Sequence, residues 1–414
     1  MTLWTPEWRV LINGVDYQDV TLASVNITSG RTSVYEQPVA GYCYLELINL
    51  DNITYGFDVG NEILISIKDS TGTFVNLYGG FISDIEIGVV SSGSTSYTTS
   101  ARITALGALS KLARANWELA LAKDEDGDQI YTILSDLLLN NWNEVAPALA
   151  WYQYDPTTTW ADAENVGLGE IDRPGQYEMV NRAADPISSY TLAAQIADSG
   201  LGYLFEDSSG RIGYADAIHR QNYLAANGYT EISASQGIGI GLKSVTRSGD
   251  VRNFITVSYD NGSILNDSNL ASISEFGKFA EIWDTTIEKT ADAALALERR
   301  LQLKAYPRAF FDSIQFPLGS PNIDDTDRDA LLNVFMGLPL RVTDLPPNIV
   351  ETVFEGYVEG WTFTASYNAL MITINASPLE FSQVTLRWNQ VSASESWNTI
   401  SPTLIWEDAI GSVA

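Results

Sequence analysis

The chain has 414 residues, with 52 Asp and Glu against 23 Lys and Arg, a formal net charge of −29. Hydrophobic residues make up 45% and aromatics 11%, enough apolar side chain for a packed core, so disorder throughout is excluded. One cysteine, Cys43, and one histidine, His219, exclude an intramolecular disulfide, a Cys-based zinc cluster and multi-histidine metal sites.

At about 100–200 residues per domain the length corresponds to two or three domains. The acidity reads first as solubility, and it makes the chain a poor counterion for DNA, RNA or an anionic membrane. Met1 to Val10 lacks the basic and apolar regions of a signal peptide, and no uncharged run reaches the ~18 residues of a transmembrane helix. The expectation is a chain with no membrane anchor.

Residues 1–115 read as β. Asn13-Gly14 signals a hairpin. Tyr42, Tyr44, Glu46 and Ile48 alternate with Cys43, Leu45, Leu47 and Asn49, and Ile63, Ile65 and Ile67 share one face of a further strand. Asp69-Ser70-Thr71-Gly72 is a turn, and two strands, Tyr78 to Ile87 and Thr99 to Ala105, form a hairpin across the polar stretch between them. Residues 116–185 form an irregular insert with one helix, Gln129 to Leu139, whose Ile130, Ile133, Leu134, Leu137 and Leu138 recur at helical spacing. Residues 186–304 are mixed α/β. A helix near Ser189 to Ser199 leads into a hairpin turning at Asp207-Ser208-Ser209-Gly210, then a strand over Val251 to Tyr259 and a helix over Thr285 to Lys304. Strands return over 305–380, interrupted by a short acidic helix after Asp324-Asp325, and 381–414 is an extended Trp-rich tail.

Two repeats stand out. Gly60, Ile63, Ile65 and Ser66 match Gly337, Leu340, Val342 and Thr343 at identical spacing. Gly80-Phe81-Ile82 with Ile85 and Ile87 match Gly356-Tyr357-Val358 with Trp361 and Phe363, and the closing strands match as Arg102 to Ala105 and Met371 to Ile374. This order predicts two related tube-like β-barrels separated by the α/β insert. The second repeat, W-N-x-[VI]-x-P-x-L-x-W, begins at Trp142 and ends at Trp151, then recurs from Trp397 to Trp406, with a partial copy at Trp388. Proline disfavours regular elements there, so these indoles fill pockets on extended segments. The pockets belong either to this chain's own core or to a neighbouring subunit, where Trp is a favoured anchor.

Other motifs do not hold. Asp124 to Asp128 starts like a calcium loop, but Gln129 and Ser135 stand where an EF-hand needs Gly and Glu. Asp324, Asp325, Asp327 and Asp329 suit a helix start. Gly237 to Gly241 lacks a P-loop ending, and Arg299, Arg300, Lys304 and Arg308 are too few for a nucleic-acid stripe, leaving ion pairing as their role. His219, following a strand, reads as a surface loop residue. No catalytic, cofactor-binding or metal-binding residue emerges. A cell-wall glycosidase using two carboxylates and a carbohydrate-binding module exposing Trp remain the alternatives to a structural part.

The order of these features resembles the baseplate-hub or tail-tip hub (minor tail) proteins of long-tailed bacteriophages. The stretches that carry it are residues 14–112, with AGYCYLELINLD and LYGGFISDIEI, residues 192–220, LAAQIADSGLGYLFEDSSGRIGYADAIHR, and residues 353–378, VFEGYVEGWTFTASYNALMITINASP. The resemblance covers roughly two thirds of the chain; residues 140–185 and the tail after Phe381 fall outside it. It implies a virion protein at the tail tip that is not an enzyme and binds no cofactor. It also implies a homotrimer presenting six barrels, contacts with tube, tape-measure and tip or fibre proteins, and DNA present only in transit through the channel.

Overall fold

The computed structural model describes residues 4–17, 21–50, 54–92, 97–136, 171–237, 243–307, 310–347, 352–366 and 369–379. The first seven strands are β1 (Trp8–Ile12), β2 (Val15–Asp16), β3 (Thr21–Gly30), β4 (Tyr42–Asn49), β5 (Glu62–Lys68), β6 (Phe74–Ser92) and β7 (Tyr97–Leu106). The β1–β2 hairpin turns on Asn13 and Gly14, both in the left-handed region (φ 51° and 75°), as a tight Asn-Gly turn requires. The period-two alternation holds: Cys43, Leu45, Leu47 and Asn49 are buried on β4, and Ile63, Ile65 and Ile67 are at most 1% exposed on β5. Each such isoleucine taken out of water contributes about 1.5–3 kcal/mol.

The chain then passes through α1 (Leu109–Arg114), β8 (Asn116–Trp117), β9 (Asp124–Glu125), α2 (Asp126–Asp136), β10 (Glu178–Met179), β11 (Ile187–Ser188) and α3 (Ser189–Ser199). Ser188 caps α3 by accepting from the Thr191 amide. The expected hairpin is β12 (Tyr203–Glu206) with β13 (Ile212–Ala215), followed by α4 (His219–Asn227), β14 (Thr230–Ser233) and β15 (Lys243–Val245). Next come β16 (Phe254–Tyr259), β17 (Ser263–Ser268), α5 (Leu270–Phe276), β18 (Ala280–Asp284), α6 (Thr290–Lys304) and β19 (Phe310–Pro317). The last elements among the described residues are α7 (Asp325–Leu332), β20 (Pro339–Thr343), β21 (Phe354–Ser366) and β22 (Ala369–Pro378). Asp324 caps α7 through the Asp327 amide at 2.9 Å, the role its position suggested.

The fold is mainly β, as the pattern predicted, but the two β regions are joined. Among the described residues thirteen strands form one sheet, in the order β15-β19-β22-β21-β3-β4-β7-β6-β5-β1-β2, with β20 beside β21 and β14 beside β20. Among the described residues no pair closes this order into a ring. One hydrophobic cluster packs against the sheet and α7, and a second gathers α1, α2, α3, α6 and β16 with Trp117, Tyr214 and Trp283. No helix among the described residues is long and apolar enough to cross a membrane.

The internal duplication is written into the strand register. Ile63 pairs with Gly80 in the first unit and Leu340 with Gly356 in the second. Gly60 and Gly337 both precede their strands with positive φ (87° and 96°), and their amides donate to Ile82 and Val358 respectively, each at 2.8 Å. A bulge follows at the same place in both units, after Ile82 and after Val358. The closing strands align two residues away from the spacing match read in the sequence. Ala105 pairs with Ile82 as Ala376 pairs with Val358, so Ala105 corresponds to Ala376 and not to Ile374. A shift of two residues keeps the same face, which is why alternation alone could not detect it.

Candidate subunit interface

The residues singled out for docking, Trp142, Trp151, Trp388, Trp397 and Trp406, lie outside the described residues. Three other tryptophans, Trp117, Trp283 and Trp361, are at most 5% exposed and serve the chain's own interior. The clearest interface in the fold is instead the seam between its two units, where β21 pairs antiparallel with β3 from Gly360↔Gly30 to Ser366↔Ser24.

Local sequence explains the seam. Val25 and Ile27 on β3, with Trp361, Phe363 and Ala365 on β21, turn inward and are at most 5% exposed. The other face is polar: Thr28 and Thr362 hydroxyls lie 3.3 Å apart, and Asn26 Nδ2 donates to Thr364 Oγ1 at 3.2 Å. That polar face continues across β4, β7 and β6 with Glu46, Arg102, Asp84 and Glu86; the Arg102 guanidinium sits 3.2 Å from Glu46 and 3.6 Å from Glu86.

One end of the seam is closed by charge. The bulge in β21 turns Glu359 inward, where it is 2% exposed. Its carboxylate accepts from Arg31 Nε at 2.6 Å, from Arg220 Nη1 and Nη2 at 2.7 and 3.0 Å, and from the Ser377 hydroxyl. Burial alone would raise the Glu359 carboxyl, but Arg220 and Arg31 outweigh it and hold it at about 2. The corresponding bulge in the first unit carries Ser83, whose hydroxyl donates to the Thr104 carbonyl at 3.1 Å. The duplicated strands therefore differ at the position where the units join.

Other acids are buried in the middle region, and one of them, Glu206, ties it to the first unit. Glu206 accepts from the Gly41 amide at 2.7 Å and from the Leu109 amide, and burial pushes its carboxyl up to about 7. Asp207, at the β12–β13 turn, is pushed up to about 8 by burial. Asp126, inside the acidic stretch that resembled a calcium loop, turns into the core. It accepts from the amides of Gln176 and Tyr177 and from the Tyr214 hydroxyl, and burial lifts it to about 6. Its neighbours Asp124, Glu125 and Asp128 bring carboxylates within 4.8 Å of one another at the surface. The expectation for His219 is corrected: it opens α4, is 6% exposed, and its Nδ1 lies 2.8 Å from Asp172, because the helix turns it inward. Of the basic cluster, Arg300 and Lys304 are ion-paired as expected, each 2.8 Å from Glu281; Arg299 is buried on α6, and Arg308 lies outside the described residues.

Comparison with known proteins gives a fold and no sequence family. No protein-family model matches the chain, and no curated protein matches its sequence. Among solved structures, it is similar to the 43 kDa tail protein of prophage MuSo2 from Shewanella oneidensis, with a TM-score of 0.57 at 11% identity over 91% of this chain and 100% of that one. It is also similar to a tail protein from Neisseria meningitidis MC58, with a TM-score of 0.60 at 9% identity over 92% of this chain and 98% of that one. The architecture of these two tail proteins thus extends over 91% and 92% of this chain.

Proposed function

We propose that this chain is a structural subunit of a phage tail, placed at the tip or baseplate hub. Three copies would surround a channel for the tape-measure protein and then for DNA. The single observation that carries this reading is the duplicated β unit, repeated with the same register and bulge and joined edge to edge within one sheet. Two equivalent units per chain give six from three chains, the number needed to meet a six-fold tube. The fold shared with two tail proteins supports the same assignment.

In this reading residues 1–115 and 305–380 supply the strands of the two tube-like units, with β14 and β15 added to the second. Residues 116–304 form most of the outer body, and 381–414 carry the Trp anchors to a neighbouring subunit. The polar sheet face bearing Glu46, Asp84 and Glu86 lines the channel. Three copies carry three times the −29 of one chain. An acidic lining repels phosphates, so a duplex slides without adhering.

Deleting the gene from the phage tests the assignment. The expected result is arrest of tail assembly at the tip, restored by supplying the chain in trans. Normal, infectious tails without the chain would overturn it.

A further inference from the structure

The chain holds one completed seam between units and both halves of a second. In the register established above, Gly360 to Ser366 on β21 correspond to Asp84 through Val90 on β6. In the same way Asn26 to Gly30, at the end of β3, correspond to Lys243 through Arg247, because Ile27 lies opposite Cys43 as Ser244 lies opposite Phe311. Where β21 meets β3, however, β6 beyond Ile82 pairs only with β7 among the described residues, and β15 pairs only with β19.

The side chains show the difference. Phe363 is 1% exposed at the completed seam, and its counterpart Ile87 is 56% exposed. Ala365 is 5% exposed, and its counterpart Val89 is 64% exposed. An exposed strand edge with outward apolar side chains is a template for another strand.

We propose that β15 of one copy adds antiparallel to β6 of the next. Val245 then lies opposite Glu86, Ser244 opposite Ile87, Lys243 opposite Gly88 and Arg247 opposite Asp84. The charges fit this register: an acidic edge, Asp84 and Glu86, meets a short segment carrying Lys243 and Arg247 in a chain with few bases. The contact is head to tail, each copy offering a different edge, so it propagates until it closes. This inference rests on the ring-forming reading above and names the surfaces that close the ring.

The test is paired cysteine substitution in phage tails. Glu86→Cys with Val245→Cys copies the facing positions of Thr362 and Thr28, whose side chains touch. Oxidation should produce covalent dimers and trimers of this chain. Glu86→Cys with Ser244→Cys, one residue out of register, should not. Equal cross-linking by both pairs, or a cross-linked product with the mass of this chain bound to a different tail protein, would overturn the proposal. If a cysteine pair blocks assembly, charge reversal replaces it. Asp84→Lys or Arg247→Asp alone should lower assembled tails about two- to fivefold, and the two together should restore them; failure of the double variant to restore assembly would overturn the register. Three copies seen at the tail tip with no cross-link at 86/245 would reject this seam while leaving the ring intact, whereas tails lacking the chain would reject both.

Discussion

Gly30 and Gly360 face each other across the seam, and neither position has room for a side chain. A methyl group on Gly30 would stand 2.3 Å from the Glu359 carbonyl oxygen, and one on Gly360 would stand 2.6 Å from the Arg31 carbonyl oxygen. Gly30 also has a φ of +81°, a conformation L residues resist. Close backbone approach at this point lets β21 reach β3 just before the Arg31–Glu359 ion pair begins.

Gly30→Ala should therefore destabilise the chain by more than the about 1–2 kcal/mol expected for the left-handed conformation alone. Gly14→Ala is the reference, since Gly14 shares a positive φ (+75°) with nothing within 4 Å of an added methyl. Urea unfolding of both variants isolates the seam. Equal midpoints would mean that the seam relaxes without cost.

Glu359→Gln should cost about 3–5 kcal/mol, because it leaves the guanidinium groups of Arg31 and Arg220 buried without their counter-charge. It should also change the acid limb of stability. A carboxyl held at about 2 contributes stability above its ordinary value near 4.5 and loses it as pH falls toward 2. The variant should show a shallower decline over that window in thermal unfolding.

The buried acids of the middle region have the opposite sign. Glu206, Asp207 and Asp126 are raised to about 7, 8 and 6, so the folded chain holds protons that the unfolded chain has released. Their contribution is complete below the ordinary carboxylate range and is lost as pH rises through about 6 to 8. The melting temperature should rise when pH is lowered from 8.5 toward 5.5, and Glu206→Gln should flatten that rise; a melting temperature independent of pH across this range would contradict it.

Replacing Trp388, Trp397 and Trp406 with Ala, or ending the chain after Phe381, should weaken association between subunits while leaving the two β units folded. Cross-linking yield on tails and circular dichroism of the isolated chain read the two effects separately. Unchanged association would return these indoles to their own chain's core.

Much of the strand layout was legible because alternation has a fixed period: Cys43, Leu45 and Leu47 declare a buried face from sequence alone. The duplication was legible too, through its glycines and isoleucines. The seam was not. Arg31 and Glu359 are 328 residues apart, and Arg220 and Glu359 are 139 apart. A pairing between strand edges uses backbone groups that every residue carries, so it leaves no pattern to read. His219 failed for a related reason, since a polar residue after a strand reads as exposed until a helix start turns it inward. The clue available in sequence for the seam was the mismatch within the repeat, where Glu359 stands in the second unit and Ser83 in the first.

A three-dimensional reconstruction of the tail tip by electron cryomicroscopy decides whether this chain forms the ring. The expected density holds three copies of this chain in a closed ring, six β units around one channel, an acidic lining that includes Glu46, Asp84 and Glu86, and β15 of each copy lying on β6 of the next. A single copy, a location away from the channel, or a neutral or basic lumen would contradict it.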